Sequence, residues 1–179
     1  MPDTGTLSFN TTQELAENIS NGDNILAGSS VSTFGIDDNG ILLVTDAGDD
    51  NLPAGSTVTA LTFYITGYYS SFGAATDAYL YATIDGGSNY SALGKADLTN
   101  SSATHTVTQP LYGGGTTWGL DWTGFTDLNQ LGVKITSQAG LFDTNSTTYF
   151  SLIQAKIDYT LPAINGKMTL NSGKLTLTG

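Results

Sequence analysis

From about residue 31 onward, hydrophobic residues fall on alternate positions, the period of a half-buried strand. Residues 57 to 66 put Thr59, Leu61, Phe63 and Ile65 on one side and Val58, Ala60, Thr62 and Tyr64 on the other. Leu80, Ala82 and Ile84 repeat the alternation, as do Leu131, Val133 and Ile135 opposed by Lys134 and Thr136. The longest run sets Tyr149, Ser151, Ile153, Ala155, Ile157 and Tyr159 against Gln154, Lys156, Asp158 and Thr160. One apolar and one polar face is what antiparallel strands covered on a single side need. Weaker strands are predicted over 31–36, 41–45 and 103–109, separated by turn chemistry at Asn39-Gly40, Asp85-Gly86-Gly87 and Gly113-Gly114-Gly115. The pattern predicts an all-β fold, an antiparallel β-sandwich. Tight turns mixed with long loops at 67–77 and 110–129 favour a jelly roll or a related Greek key over a propeller or an up-and-down barrel.

Three segments follow from where the alternation starts and stops. Residues 1–30 are weakly patterned and read as an N-terminal arm. Thr11-Thr12-Gln13-Glu14 has capping-box spacing before Leu15 and Ile19, but a helix shorter than about 12 residues is marginal without packing, so a loose arm is the expectation. Residues 31–161 form the sandwich, closed by Pro162. Residues 162–179 form a C-terminal β-arm with a seven-residue repeat, Gly166-Lys167-Met168-Thr169-Leu170-Asn171-Ser172 followed by Gly173-Lys174-Leu175-Thr176-Leu177-Thr178-Gly179. A two-stranded hairpin is only marginally stable alone in water. Met168, Leu170, Leu175 and Leu177, flanked by Lys167 and Lys174, are therefore expected to make a subunit contact.

Composition removes several function classes. The chain has 14 Asp and 2 Glu against 5 Lys and no Arg, a formal charge of −11. No basic stripe exists to neutralise phosphates, so nucleic acid is not an expected partner. Absence of Cys removes disulfides, thiolate metal sites and cysteine nucleophiles. A single histidine, His105, rules out a cage of several imidazoles. No apolar run approaches the ~20 residues of a membrane helix, and residues 1–5 show no secretory leader pattern. The only glutamates, Glu14 and Glu17, lie in the arm, so glycoside hydrolysis by paired carboxylates is not expected and the chain is read as non-enzymatic.

Three clusters remain as candidate chemistry. Asp46, Asp49 and Asp50 bring hard oxygen ligands together as calcium loops do, and Asp37-Asp38-Asn39 is similar. No cofactor is expected, and solvated turn residues are the plainer account of these aspartates. Tyr68, Tyr69 and Phe72, with Asp77 nearby, would form an aromatic platform for a sugar if they stand in an exposed loop; core packing or a subunit contact would use the same rings. Trp118, Leu120 and Trp122 share one side of an extended segment and are expected to plug one end of the core.

The order of several short motifs resembles a known module. Ser56-Thr57-Val58-Thr59-Ala60-Leu61-Thr62-Phe63-Tyr64-Ile65 is followed by Trp118-Gly119 with Trp122, then Leu131-Gly132-Val133-Lys134-Ile135, and finally Ala155-Lys156-Ile157-Asp158-Tyr159-Thr160. This succession resembles a β-sandwich module of tailed-bacteriophage virion proteins, among them capsid decoration, head-fibre and tail-associated proteins. The resemblance implies a structural protein on the outer surface of a virion, a capsid decoration or cement protein before all. Its expected partners are itself, as a homo-oligomer (a trimer included), and the major capsid or other virion proteins. A tail or fibre attachment protein, or a carbohydrate-binding module acting in host recognition with a glycan as partner, is the alternative. The module supplies no catalytic residues.

Overall fold

The computed structural model describes residues 2–15, 19–20, 22–27, 34–36, 41–48, 50–70, 77–138, 147–162, 167–171 and 174–178. Its strands are β1 (Leu7–Ser8), β2 (Thr11–Glu14), β3 (Ile19–Ser20), β4 (Phe34–Ile36), β5 (Ile41–Thr45), β6 (Thr57–Ser70), β7 (Asp77–Thr83), β8 (Gly94–Asp97), β9 (Ala103–Val107), β10 (Gly132–Gln138), β11 (Thr147–Thr160), β12 (Lys167–Asn171) and β13 (Lys174–Thr178). Short 3₁₀ turns cover Gly22–Ala27, Gly115–Thr117 and Leu128–Gln130. The first sheet runs β3-β4-β11-β6-β9 with β1 also on β11, and the second runs β2-β5-β10-β7-β8. All of these pairings are antiparallel. Counting β4 to β11 as strands one to eight, the sheets read 1-8-3-6 and 2-7-4-5. That interleaving is the jelly roll, a sandwich of two Greek keys.

Alternation decides which residues meet between the sheets. Leu61, Phe63 and Ile65 of β6 and Ala155 and Ile157 of β11 are fully buried, as are Leu42 and Val44 of β5, Leu80 and Ala82 of β7, and Val133 and Ile135 of β10. Partners across the strands share this buried face, as Leu61 with Ile157 and Val133 with Val44 do, and the residues between them along each strand point to the other face, so a one-residue slip in either sheet would empty the core. Trp118 closes the space between edge strands β8 and β9. Its ring is completely buried, meets Phe63 edge-on at 5.2 Å between centroids, and donates Nε1–H to the Leu61 carbonyl at 2.9 Å. A Cβ on Gly94 would lie 2.4 Å from that ring, so glycine is what lets β8 pass it. Trp118 itself is left-handed, φ 61°; the segment is a tight turn rather than the extended run that the spacing suggested, although Trp118 does fill the core.

Two boundaries differ from those expected. Residues 2–14 are part of the sandwich: β1 pairs Leu7 with Ala155, β2 pairs Thr12 with Val44, and Phe9 between them is 4% exposed. Thr11 to Glu14 are a strand, not a capped helix turn. Two strands of two and four residues are too short to show a period in sequence, and the free edges of β5 and β11 supply the hydrogen bonds that hold them. Strand β6 also outruns its expected end and carries Tyr68 and Tyr69 in the ladder rather than in a loop. Gly67 makes this feasible, because a Cβ there would stand 2.6 Å from the Tyr149 carbonyl and 2.8 Å from the Phe150 ring.

The C-terminal repeat folds as a ladder of its own. β12 and β13 pair Met168 with Leu177 and Leu170 with Leu175, and they form a two-stranded sheet separate from the other two.

Candidate functional site

The outer face of the first sheet is unusual for so acidic a chain. Across its strands, one row reads Ser8, Gln154, Tyr64 and Thr106, the next Leu152, Thr66 and Thr104, and a third Tyr149 and Tyr68. None of these nine residues is charged. The rows follow from the β11 register, which shifts between Phe150 and Leu152: the bulge turns Tyr149 outward beside Tyr68 while keeping Phe150 and Ile153 inward. Tyr68 and Tyr149 stack at 4.9 Å with planes 15° apart, and both are half-buried. Thr66 and Thr104 share a hydroxyl hydrogen bond of 2.8 Å, and Gln154 Nε2 donates to Ser8 Oγ at 3.2 Å. From Tyr64 to Tyr68 the tract extends about 13 Å along β6 at ~3.3 Å per residue. Beyond it, charge returns at Lys156, which lies 3.0 Å from Asp158 and 3.7 Å from Asp3. The hydrogen bond that Lys156 donates to the Asp158 carboxylate holds its ammonium above the usual lysine range.

The second sheet's outer face is built differently. Lys134 sits over two rings, 4.4 Å from the Tyr81 centroid and 4.1 Å from that of Tyr90. Tyr90 belongs to a loop after β7 that folds back on the sheet, with Gly87 so close that a Cβ would lie 2.7 Å from Leu43 Cδ2. Asp85 organises this loop: its carboxylate accepts from the Thr83 hydroxyl at 2.8 Å, the Asn89 N–H at 2.9 Å and the Asn89 side chain at 2.6 Å. Burial pushes the Asp85 carboxyl up, but those hydrogen bonds outweigh it and hold it below its ordinary range. Lys95 lies 2.7 Å from Asp97 and 2.9 Å from Asp77, and hydrogen bonds to the two, Asp97 first, raise its pKa. This face is laced by charge and by a strap, and among the described residues it presents no open uncharged tract.

Of the residues singled out in the sequence, Tyr68 lies on the outer face and Tyr69 on the inner one, packed against the core with its N–H bonded to the Thr99 carbonyl at 3.0 Å. Neighbours in a strand face opposite ways, so the two do not form one platform. Phe72 lies outside the described residues. Tyr149, 81 positions beyond Tyr68 in the chain, is the ring that joins it. Spacing could not show this partner, which only the β6–β11 register creates.

Asp46 is left-handed at φ 63°, its carbonyl accepts from the Asn10 N–H at 2.9 Å, and its buried Oδ1 has no hydrogen-bond partner. Asp50 is exposed at an open cavity of about 300 Å³ walled by Asp3, Leu128 and Tyr159, among others. Asp37, Asp38 and Asp49 lie outside the described residues. Among the described residues, no three acidic or histidine side chains converge as metal ligands do. Lys167, Met168, Leu170, Lys174, Leu175 and Leu177 lie on the hairpin ladder.

No protein-family model matches the chain, and no curated protein matches it. Among solved structures it is similar to a truncated AlyQ with CBM32 and alginate lyase domains, at 9% identity and a TM-score of 0.48, over 92% of this chain and 35% of that one. The chain thus spans about a third of that protein's length. It is also similar to the CBM36-1 domain of a multidomain xylanase from the hindgut metagenome of Trinervitermes trinervoides, at 9% identity and a TM-score of 0.43, over 88% of this chain and 97% of that one. Likeness this distant carries no argument about ligand or role.

Proposed function

We propose that the chain is a non-catalytic glycan-binding module and that the outer face of the first sheet is its binding surface. The observation that carries this reading is the uncharged tract of tyrosines, hydroxyls and an amide on a protein of net charge −11. Sugars present C–H faces that rest on aromatic rings and hydroxyls that need donors and acceptors. A tract with Tyr68 and Tyr149 at one end, Tyr64 and Gln154 at the other and threonines between supplies both along an extended line. Its strands are anchored by a packed core, so little ordering is lost on binding. A glycan array should give saturable binding by the full chain, and the Tyr68→Ala, Tyr149→Ala double variant should weaken it at least ~10-fold, or about 1.4 kcal/mol. Binding unchanged in a folded double variant would defeat the assignment.

A structural role on a virion surface, as a decoration protein or within a tail or fibre, is the second reading. It is favoured by segregation of charge. Residues 1–162 hold all 16 acidic residues and three of the five lysines, a net −13, whereas residues 163–179 hold the other two lysines and no acid, a net +2. A basic hairpin with an apolar repeat is suited to the acidic body of a second copy. Light scattering should then find a homo-oligomer for the full chain and a folded monomer after removal of residues 163–179. A full-length monomer at high concentration would count against assembly through this element.

A further inference from the structure

One end of the sandwich carries a second feature that the sheet face does not use. Ser56, just before β6, Thr57 and Val58 at its start, and Trp122, Thr123 and Gly124 line an open cavity of about 330 Å³. Its walls contain no ionisable side chain. Volumes near 300 Å³ are at the small end of ligand pockets, where one aromatic wall and a few placed polar groups fix a small ligand.

The aromatic wall is held rigidly. Trp122 Nε1–H donates to the Thr117 carbonyl at 2.9 Å, and the indole meets Phe125 edge-on at 5.0 Å and 89°. Its own carbonyl accepts from the Phe125 N–H at 3.1 Å, closing a four-residue turn with Gly124 at φ 72° in the third position. That position requires the left-handed conformation, which glycine adopts without strain. A Cβ on Gly124 would have no neighbour within 4 Å, so the rim beside the indole is open. The Asp121 carboxylate is occupied by the Thr123 N–H at 3.0 Å.

Ser56 supplies an unmet polar group. Its N–H bonds to the Pro53 carbonyl at 3.0 Å, but its Oγ is buried with no hydrogen-bond partner. A buried hydroxyl left unpaired is costly, and a move to another staggered χ1 well is its simplest route to a partner. A ligand hydroxyl in the cavity would provide one.

We infer that this cavity binds a single neutral pyranose ring, stacked on Trp122 and hydrogen-bonded by Ser56. An aromatic wall, hydroxyl rim and absence of charge match a hexose better than an anionic sugar, which the −11 chain repels. The site is independent of the sheet-face reading and stands or falls without it.

The chain has two tryptophans, so its ¹⁵N spectrum carries two indole N–H signals, which Trp122→Phe assigns. Titration of the full chain with methyl glucopyranosides, galactopyranosides and mannopyranosides should move the Trp122 signal saturably for at least one sugar and leave that of buried Trp118 in place. Glucuronate should bind several-fold more weakly. Ser56→Ala should weaken binding roughly 3- to 10-fold without lowering the melting temperature, because the hydroxyl it removes has no partner to lose. Tyr68→Ala with Tyr149→Ala should leave the titration unchanged. No shift of the Trp122 signal with any of these hexosides at tens of millimolar would overturn the inference. So would a shift that Ser56→Ala leaves intact, or one that glucuronate reproduces at equal strength.

Discussion

Trp118→Ala is expected to destabilise the chain by about 3–5 kcal/mol, the cost of emptying a fully buried large aromatic site. Three losses combine. The ring's buried area goes, its edge-on contact with Phe63 goes, and the Leu61 carbonyl loses its Nε1–H donor. Gly94 cannot fill the space, since it has no side chain and its strand is held by pairing Ala78 with Ala96 and Leu80 with Gly94. In a domain of this size the melting temperature should fall by roughly 6–20 °C. Trp118→Phe separates the contributions: it retains most of the apolar burial and should lose about 1–3 kcal/mol, chiefly through the unpaired carbonyl. Urea denaturation of the two variants measures both. Equal stability of Trp118→Ala and the parent chain would show that the ring is not the closure of the core.

Removal of residues 1–14 should be more damaging still. It strips β1 from β11 and β2 from β5, exposes a backbone edge on each sheet, and takes Phe9 out of the core. Loss of the phenyl alone is worth about 3–5 kcal/mol, comparable to much of the 5–15 kcal/mol that holds a typical domain together. The Thr4 links to Ile157, N–H to carbonyl and amide to hydroxyl, both 3.0 Å, disappear as well. The truncated chain should therefore lose its cooperative thermal transition or aggregate through the uncovered edges. A truncated protein that melts as the parent does would mean that these strands are an attachment rather than part of the fold.

That truncation also marks where the sequence could be read and where it could not. Long strands with one apolar face were legible: the alternation around Leu61, Val133 and Ile153 predicts a sandwich, and the uneven turns predict its jelly-roll connections. The first 14 residues were not, because strands of two and four residues hold one or two repeats of their period, too few to stand out from chance. Aromatic positions were legible only in part. Tyr68 stands out locally, but its facing partner Tyr149 is fixed by a bulge and a long-range register, and Tyr69 beside it must face the core. Strand length misleads at the same place, since the loop expected from residue 67 is strand up to Ser70 and Gly67 permits the close approach of β11. Trp122 reads as core filler because its neighbours Trp118 and Leu120 share its spacing; the turn that aims it at a cavity depends on Gly124 and on a hydrogen bond to Thr117, neither visible as a pattern.

Glycan recognition by the tyrosine and threonine face is the central claim, and a crystal of the full chain soaked with the oligosaccharide that binds best tests it most directly. Sugar rings lying along the Tyr64 to Tyr68 line, against Tyr149 and within hydrogen-bond reach of Gln154 or the threonines, are the predicted result. A well-ordered oligosaccharide bound elsewhere, with this face bare and uncovered by any neighbouring molecule, would contradict the account.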